Sequence, residues 1–195
     1  EIIFPGTYKF KKISDYVKLL PLVLKPVNGG SSVEVNVIKS ENELHSFKNK
    51  IFDDNFIIEP FVGNRELTVT VFNSKPLAVT EIISNENTFY DYSSKYNNNG
   101  STHIIPANIP YKTYKKVLSW AKRSHEILGC SCISRSDFRY DDVSDKLYML
   151  EINTQPGMTE TSLSPEQARY CNLTMSDIID TLISKASFEE TISSN

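Results

Sequence analysis

Cysteine is scarce in this sequence, with three residues at positions 130, 132 and 171. An odd count without paired zinc-type spacing argues against a disulfide framework and against a structural zinc site, since Cys130-x-Cys132 lacks a full ligand set. Reduced thiols in a cytoplasmic protein are the expectation. A basic excess is also missing. The formal net charge is -3 and no Lys/Arg stripe marks a phosphate-binding surface, so nucleic acid is not an expected partner. The longest apolar run, LLPLVL at 19–24, is interrupted by Pro21 and far too short to span a bilayer, so no membrane partner is expected either. No signal-peptide pattern opens the chain, and no internal repeat runs through it. What is present is ordinary: 39% hydrophobic and 23% charged residues over 195 positions, enough for one large domain or two small ones that share a core.

Local patterns divide the chain into short elements. The first twenty residues, with Pro5-Gly6, read as an irregular entry segment, and the chain is expected to begin within a longer protein. PLVLKP (21–26) reads as a buried strand and SVEVNVI (32–38) as a half-exposed one, joined by Asn-Gly-Gly-Ser-Ser into a hairpin with an N–H-rich tip. ENELHSFKNKIF (41–52) places Leu44, Phe47 and Ile51 on one helical side, and NFIIEPF follows as a strand. RELTVTVF (65–72) and LAVTEII (77–83) form a second hairpin through an Asn-Ser-Lys-Pro turn. The segment SNENTFYDYSSKYNNNGSTH is too aromatic for a linker and too polar for a core, which suits a functional surface loop. Residues 111–128 have the clearest helical spacing, closed by Gly129, with His125 packed on the buried face. Two further helices, opened by Ser or Thr caps, fill the stretch from 164 to 188, and the last residues, EETISSN, are expected to fray.

Chemistry concentrates on a third hairpin, SCISRSDFRY and KLYMLEINT around DDVSD. Alternation puts Arg135, Asp137 and Arg139 on one face of the first strand, and Glu151 and Asn153 on one face of the second. If the loop is 141–145, odd positions oppose odd positions, and Asp137, Glu151 and Asn153 converge beside Arg135. Such a set of two carboxylates and an amide oxygen suits Mg2+, which retains water and accepts phosphate oxygens. An adjacent guanidinium would stabilise charge on a transferred phosphoryl group. The competing reading is a solvent-facing hairpin with cross-strand ion pairs. Upstream, Lys25 stands next to the Gly29-Gly30-Ser31-Ser32 tip, a cation beside a loop able to cover phosphates.

In order, LVLKPVNGGSSVEV, FIIEPFVGNRELTVTV, TFYDYSSKY, GCSCISRSDF and LEINTQPGMTETSLSP resemble the carboxyl-terminal two-thirds of D-alanine:D-alanine ligases, members of the ATP-grasp superfamily, from about residue 20 to 187. The resemblance implies an α+β ATP-grasp fold, two α/β subdomains whose mainly antiparallel sheets clasp ATP. Residues 1–62 would hold the entry linker and part of the central subdomain, and 63–195 the carboxyl-terminal subdomain with the metal site. It implies ATP-dependent joining of two D-alanines through an acyl phosphate for peptidoglycan synthesis, with Mg2+ (or Mn2+), in a cytoplasmic homodimer. Another ATP-grasp carboxylate-amine ligase, making a D-lactate or D-serine product, and a nucleotide-binding module without turnover are the alternatives. The segment 89–103 would set second-substrate choice.

Residue by residue, the resemblance matches Lys25 to a phosphate- and adenine-contacting lysine, Ser31 and Ser32 to the phosphate loop, and Glu59 with the backbone to Val62 to the adenine hinge. Glu66 matches the acid that bonds ribose hydroxyls. Lys95 and Tyr96 match a loop that closes over the site, with Tyr96 bonded to Ser31. Asp137, Glu151 and Asn153 match the metal ligands, Arg135 the arginine over the phosphoryl group, and Gly157 an oxyanion N–H. Ser162 and the Leu163 N–H match the contact to the second substrate's carboxylate. The sequence departs from the family at Gly29, usually acidic there, and at Glu34, usually glycine. The family's amino-terminal domain would lie upstream of Glu1, so these residues alone are expected to be inactive.

Overall fold

The computed structural model describes residues 1–29, 33–84 and 101–186. The expected fraying at 189–195 lies outside the described residues. The chain clusters into two compact units built from separated segments: 1–67, 81–104 and 138–150 in one, and 68–80, 105–137 and 151–195 in the other.

In the first unit, α1 (Ile13–Val17) is followed by β1 (Leu22–Pro26), β2 (Asn36–Ile38), α2 (Glu41–Ser46), α3 (Lys48–Ile51) and β3 (Phe56–Pro60). The strands form an antiparallel sheet in the order β2-β1-β3. Leu22 pairs with Ile38 and with Pro60, and Leu24 with Ile58. Strand alternation therefore puts Leu22, Leu24, Ile38 and Ile58 on one face, where they are buried together with Tyr16, Leu44 and Ile51. Val23, Lys25, Ile57 and Glu59 take the opposite face. Three expectations need correction here. The entry segment contains the short helix α1. Among the described residues of the strand expected at 32–38, only 36–38 are strand, because Glu34 sits at φ 60, a left-handed conformation that interrupts an extended strand. The helix at 41–52 breaks at Phe47, where the Ser46 hydroxyl donates to the Glu43 carbonyl and competes with the helical ladder.

The remaining strands, β4 (Arg65–Phe72), β5 (Lys75–Ser84), β6 (Ser101–Ile104), β7 (Ile133–Asp141) and β8 (Lys146–Asn153), form a sheet in the order β6-β5-β4-β7-β8. Asn73 and Ser74 join β4 to β5 with φ of 50 and 62, the two positive values a type I′ hairpin turn requires. Residues 101–103, expected from the sequence to end a surface loop, belong with Ile104 to β6, which pairs with β5 from Ser84↔Ser101 to Glu81↔Ile104. They were not legible as strand because their burial is only partial.

The second unit holds α4 (Tyr111–Ile127), α5 (Leu163–Tyr170) and α6 (Met175–Lys185). His125 on α4 is a packed histidine, with Nδ1 at 2.8 Å from Ser134 Oγ. Phe72, Ile133, Ala168 and Ile178 form an apolar cluster bordered by Met158, Leu173 and Leu182. Thr174 caps α6 reciprocally: its hydroxyl accepts from Asp177 N, and the Asp177 carboxylate accepts from Thr174 N. The three cysteines are free, and burial raises the pKa of each thiol, which disfavours the reactive thiolate. Among the described residues, no helix is long and apolar enough to cross a membrane.

Candidate functional site

In the first unit, Lys25 and Glu59 meet because adjacent antiparallel strands put them diagonally on one face: Val23 opposes Glu59, and Lys25 lies two residues on. Lys25 Nζ is 2.7 Å from Glu59 Oε2, with both side chains largely covered. The chain leaves β3 through Phe61, Val62 and Gly63 as irregular backbone before β4 begins. This stretch is anchored at both ends: Phe61 N donates to Pro21 O at 3.1 Å and Asn64 N to Tyr140 O at 3.1 Å. Gly63 has φ 63, and a Cβ there would lie 2.9 Å from the Tyr140 carbonyl carbon, so only glycine permits this approach. Glu66, the second residue of β4, accepts from Arg139 Nη1 at 3.2 Å. Nearby, Arg65 forms a fork with Glu81 at 2.7 and 2.5 Å, and that bond is the main cause of the raised pKa of its guanidinium.

In the second unit, Arg135 and Asp137 share a face of β7, as alternation requires. Arg135 Nε and Nη2 donate to Asp137 Oδ1 and Oδ2 at 2.9 and 2.8 Å, a bidentate pair with side chains only 15% and 16% exposed. Thr68 on β4, fully buried, donates to Asp137 Oδ1 at 2.6 Å. The carboxylate is therefore held from two sides.

The hairpin carrying the oxygen donors is one residue tighter than the sequence reading assumed. β7 continues to Asp141, whose carboxylate accepts from Val143 N, Ser144 N and Ser144 Oγ at 3.0, 3.3 and 2.6 Å, and the loop is 142–145. If Asp141 opposes Lys146, even positions oppose odd ones. Burial follows that phase: Ser134, Ser136, Phe138 and Tyr140 are buried on β7, and Leu147 and Met149 on β8. The alternation stops there. Glu151, the next position due for burial, is exposed, and Asn153 is half-buried. Convergence of Glu151 and Asn153 with Asp137 thus does not follow from the loop length. Asn153 Oδ1 accepts from Gln155 N at 2.9 Å and starts the turn toward Pro156-Gly157.

That turn leads to a row of hydroxyls. A Cβ on Gly157 would come within 2.9 Å of Ser162 Oγ. Ser162 occupies the N-cap of α5, yet its hydroxyl bonds Thr159 N at 3.1 Å and Thr159 Oγ1 at 2.7 Å and does not cap the helix. The Leu163 N–H opens the first turn of α5, where peptide dipoles favour an anion. The helix itself is locked to β4. Gln167, with no exposure, accepts from Thr70 N at 2.7 Å and donates to Thr68 O at 3.2 Å, taking the place of a strand peptide, and Thr70 Oγ1 bonds Ser164 Oγ at 2.9 Å.

Ser31, Ser32, Lys95 and Tyr96 lie outside the described residues. The sequence reading missed Thr68, Gln167 and Arg139. Arg139 was visible on the face of Asp137, but Thr68 and Gln167 gave no local signal, since their partners lie 69 and 97 residues away.

Comparison with known proteins identifies the family and the fold. A family model described as D-ala D-ala ligase C-terminus matches residues 7–184. The chain is 45% identical over 180 residues to a D-alanine–D-alanine ligase of Zymomonas mobilis, covering 88% of this chain and 56% of that protein. It is similar to the crystal structure of D-alanine–D-alanine ligase from Bacillus anthracis, with a TM-score of 0.75 and 29% identity over 94% of this chain and 62% of the other; that ligase has also been solved in complex with ATP. VanG D-Ala:D-Ser ligase from Enterococcus faecalis gives 0.73 and 29%, covering 94% and 57%. The chain spans a little over half the length of the relatives it matches. The fold is the expected α+β ATP-grasp fold, and the chain belongs to the D-ala D-ala ligase C-terminus family.

Proposed function

We propose that this chain forms the nucleotide- and metal-holding part of a D-alanine:D-alanine ligase that joins two D-alanines with ATP, for peptidoglycan precursor synthesis, in the cytoplasm and as a homodimer. The observation that carries the reading is the Arg135 fork on Asp137, held from behind by Thr68, in the same unit as the Gly157 turn and the Ser162–Leu163 helix start.

In this reading the terminal phosphoryl group of ATP passes to the carboxylate of the first D-alanine, giving an acyl phosphate and ADP. The amine of the second then attacks the acyl carbon, and phosphate leaves as the peptide bond forms. Lys25 and Glu59 with the backbone to Val62 take the adenine side, Glu66 accepts from the ribose hydroxyls, and Ser31, Ser32 and Lys95 meet the phosphates. Tyr96 bonds Ser31 and closes the site against water. Arg135 stabilises the charge that builds on the transferred phosphoryl group, and the Gly157 N–H that on the tetrahedral oxyanion. Ser162 and the Leu163 N–H receive the second substrate's carboxylate.

The donor set fits Mg2+ (or Mn2+): Asp137, Glu151 and Asn153 supply two carboxylates and an amide oxygen, all at least partly open to solvent, as suits a hard cation that keeps its water. When bound, the cation neutralises phosphate charge. The exposure of Glu151 favours this set, because it leaves that carboxylate open to solvent.

The test is ADP release by the full-length protein. Release should require Mg2+ and D-alanine, and Asp137→Asn should abolish it. Equal turnover with L-alanine would refute the substrate assignment. The 195 residues alone should bind nucleotide weakly and turn over nothing. A second reading, ligation to D-serine, is favoured by the 29% identity to the D-Ala:D-Ser ligase, the same as to the Bacillus anthracis ligase, and product analysis with D-alanine, D-serine and D-lactate in competition separates the two.

A further inference from the structure

Arg139 is a heavily engaged side chain in the first unit that the proposed chemistry leaves without a role. Its Nε donates to Val62 O at 3.3 Å, its Nη2 to Gly63 O at 3.0 Å and its Nη1 to Glu66 Oε2 at 3.2 Å. Its Cζ lies 5.1 Å from the centre of the Phe61 ring. One planar group thus touches four of the six residues from Phe61 to Glu66, and its own side chain is only 13% exposed. This stretch is irregular backbone up to the start of β4. Two of its carbonyls are satisfied by a side chain 77 and 76 residues away. The neighbouring contacts act in the same direction: Gly63 packs against the Tyr140 backbone, and Asn64 and Asp142 exchange bonds at 2.7 and 3.2 Å. Those contacts hold the far end of the stretch, at Gly63 and Asn64. Arg139 joins Val62, Gly63 and the Glu66 carboxylate.

We infer that Arg139 is a positioning residue for the nucleotide: one guanidinium sets the path of the adenine-contacting backbone and the orientation of the ribose-contacting carboxylate. The inference rests on the nucleotide role proposed above for Val62 and Glu66. Coupling the two contacts through one rigid group fixes the spacing between base and sugar sites, which separate supports would leave to vary. Lysine cannot do this. Its ammonium is a point donor on a flexible stem, whereas the guanidinium presents several N–H groups in one plane and stacks on an aromatic ring.

The test compares Arg139→Met, Arg139→Lys and Glu66→Gln in the full-length protein, with ATP and 2′-deoxy-ATP as nucleotides. Arg139→Met should raise KM for ATP about tenfold, the equivalent of one hydrogen bond to a charged group. KM for D-alanine and kcat should stay within about twofold, a split that general loss of structure would not give. The preference for ATP over 2′-deoxy-ATP should fall toward that of Glu66→Gln. Arg139→Lys should move the same values in the same direction, and it carries the test if the methionine variant does not fold. If Glu66→Gln weakens ribose discrimination while both Arg139 variants keep wild-type nucleotide KM, the inference fails and the nucleotide reading stands. If Glu66→Gln leaves ribose discrimination intact, the nucleotide reading of Glu66 fails and the inference falls with it.

Discussion

Replacing Gln167 with leucine removes the side-chain amide that stands in for a strand peptide on β4. In the native chain it bonds Thr70 N at 2.7 Å and Thr68 O at 3.2 Å, and all three residues have no exposure. Leucine fills a similar volume but offers neither donor nor acceptor. Two backbone groups would then be buried without partners, each costing about 1–3 kcal/mol, and partial relaxation puts the expected loss for Gln167→Leu at about 2–5 kcal/mol. The effect extends to function, because Gln167 sits one turn inside the helix whose start carries Ser162 and Leu163. Urea unfolding followed by circular dichroism measures the stability, and the midpoint should fall without a change in slope. The surviving folded protein should show a raised KM for D-alanine. A stability loss below about 0.5 kcal/mol would refute the reasoning, since it would mean that the two backbone groups find other partners at no cost.

Three other perturbations follow from local geometry. Glu34 sits at φ 60, where a Cβ is disfavoured, so Glu34→Gly should be more stable than Glu34→Ala by about 1 kcal/mol in chemical unfolding, and equal stabilities would contradict the strain. Gly63→Ala combines left-handed backbone with a Cβ 2.9 Å from Tyr140, so it should destabilise by about 2–4 kcal/mol and raise KM for ATP; a neutral effect on both would show that the approach relaxes easily. Burial lowers the pKa of His125 below its ordinary 6.5, partly offset by its bond near Ser131 and by Glu126. Between that lowered value and about pH 6.5, the unfolded chain binds a proton that the folded chain does not, so stability is full above about 6.5 and falls as pH drops below it. His125→Gln should flatten that part of the stability profile, and an unchanged slope would rule the residue out.

Elements whose signals are local were legible in the sequence. The alternation in 65–72, the helical spacing from Tyr111 to Ile127 and the Thr174 cap reappear in the structure because each depends on neighbours within a turn or a strand. The hairpin loop was misjudged by one residue, since whether Asp141 ends the strand or opens the turn depends on its side-chain bonds to Val143 and Ser144. In period-two structure that single residue inverts the face of every partner. The supporting groups were out of reach for another reason. Thr68, Gln167 and Arg139 act on residues 69 to 99 positions distant; alternation places Arg139 on the face of Asp137 without showing its partners, and nothing in the neighbourhoods of Thr68 and Gln167 marks them. The two units interleave along the chain, so no change of composition separates them. The oxygen donors are brought together in the sequence by strand alternation on an assumed loop and matched separately by the order of motifs, and the second route does not depend on the loop length. Glu34 joins the two kinds of reasoning: the resemblance puts glycine there, and the positive φ supplies the reason.

The most direct test of the account is anomalous diffraction from crystals of the full-length protein grown with Mn2+ and a non-hydrolysable ATP analogue. Manganese signal should lie within about 2.3 Å of oxygens from Asp137, Glu151 and Asn153, with the analogue's terminal phosphate beside Arg135. Manganese bound elsewhere, or an Asp137 carboxylate still locked to Arg135 and pointing away from Glu151 with nucleotide present, would contradict it.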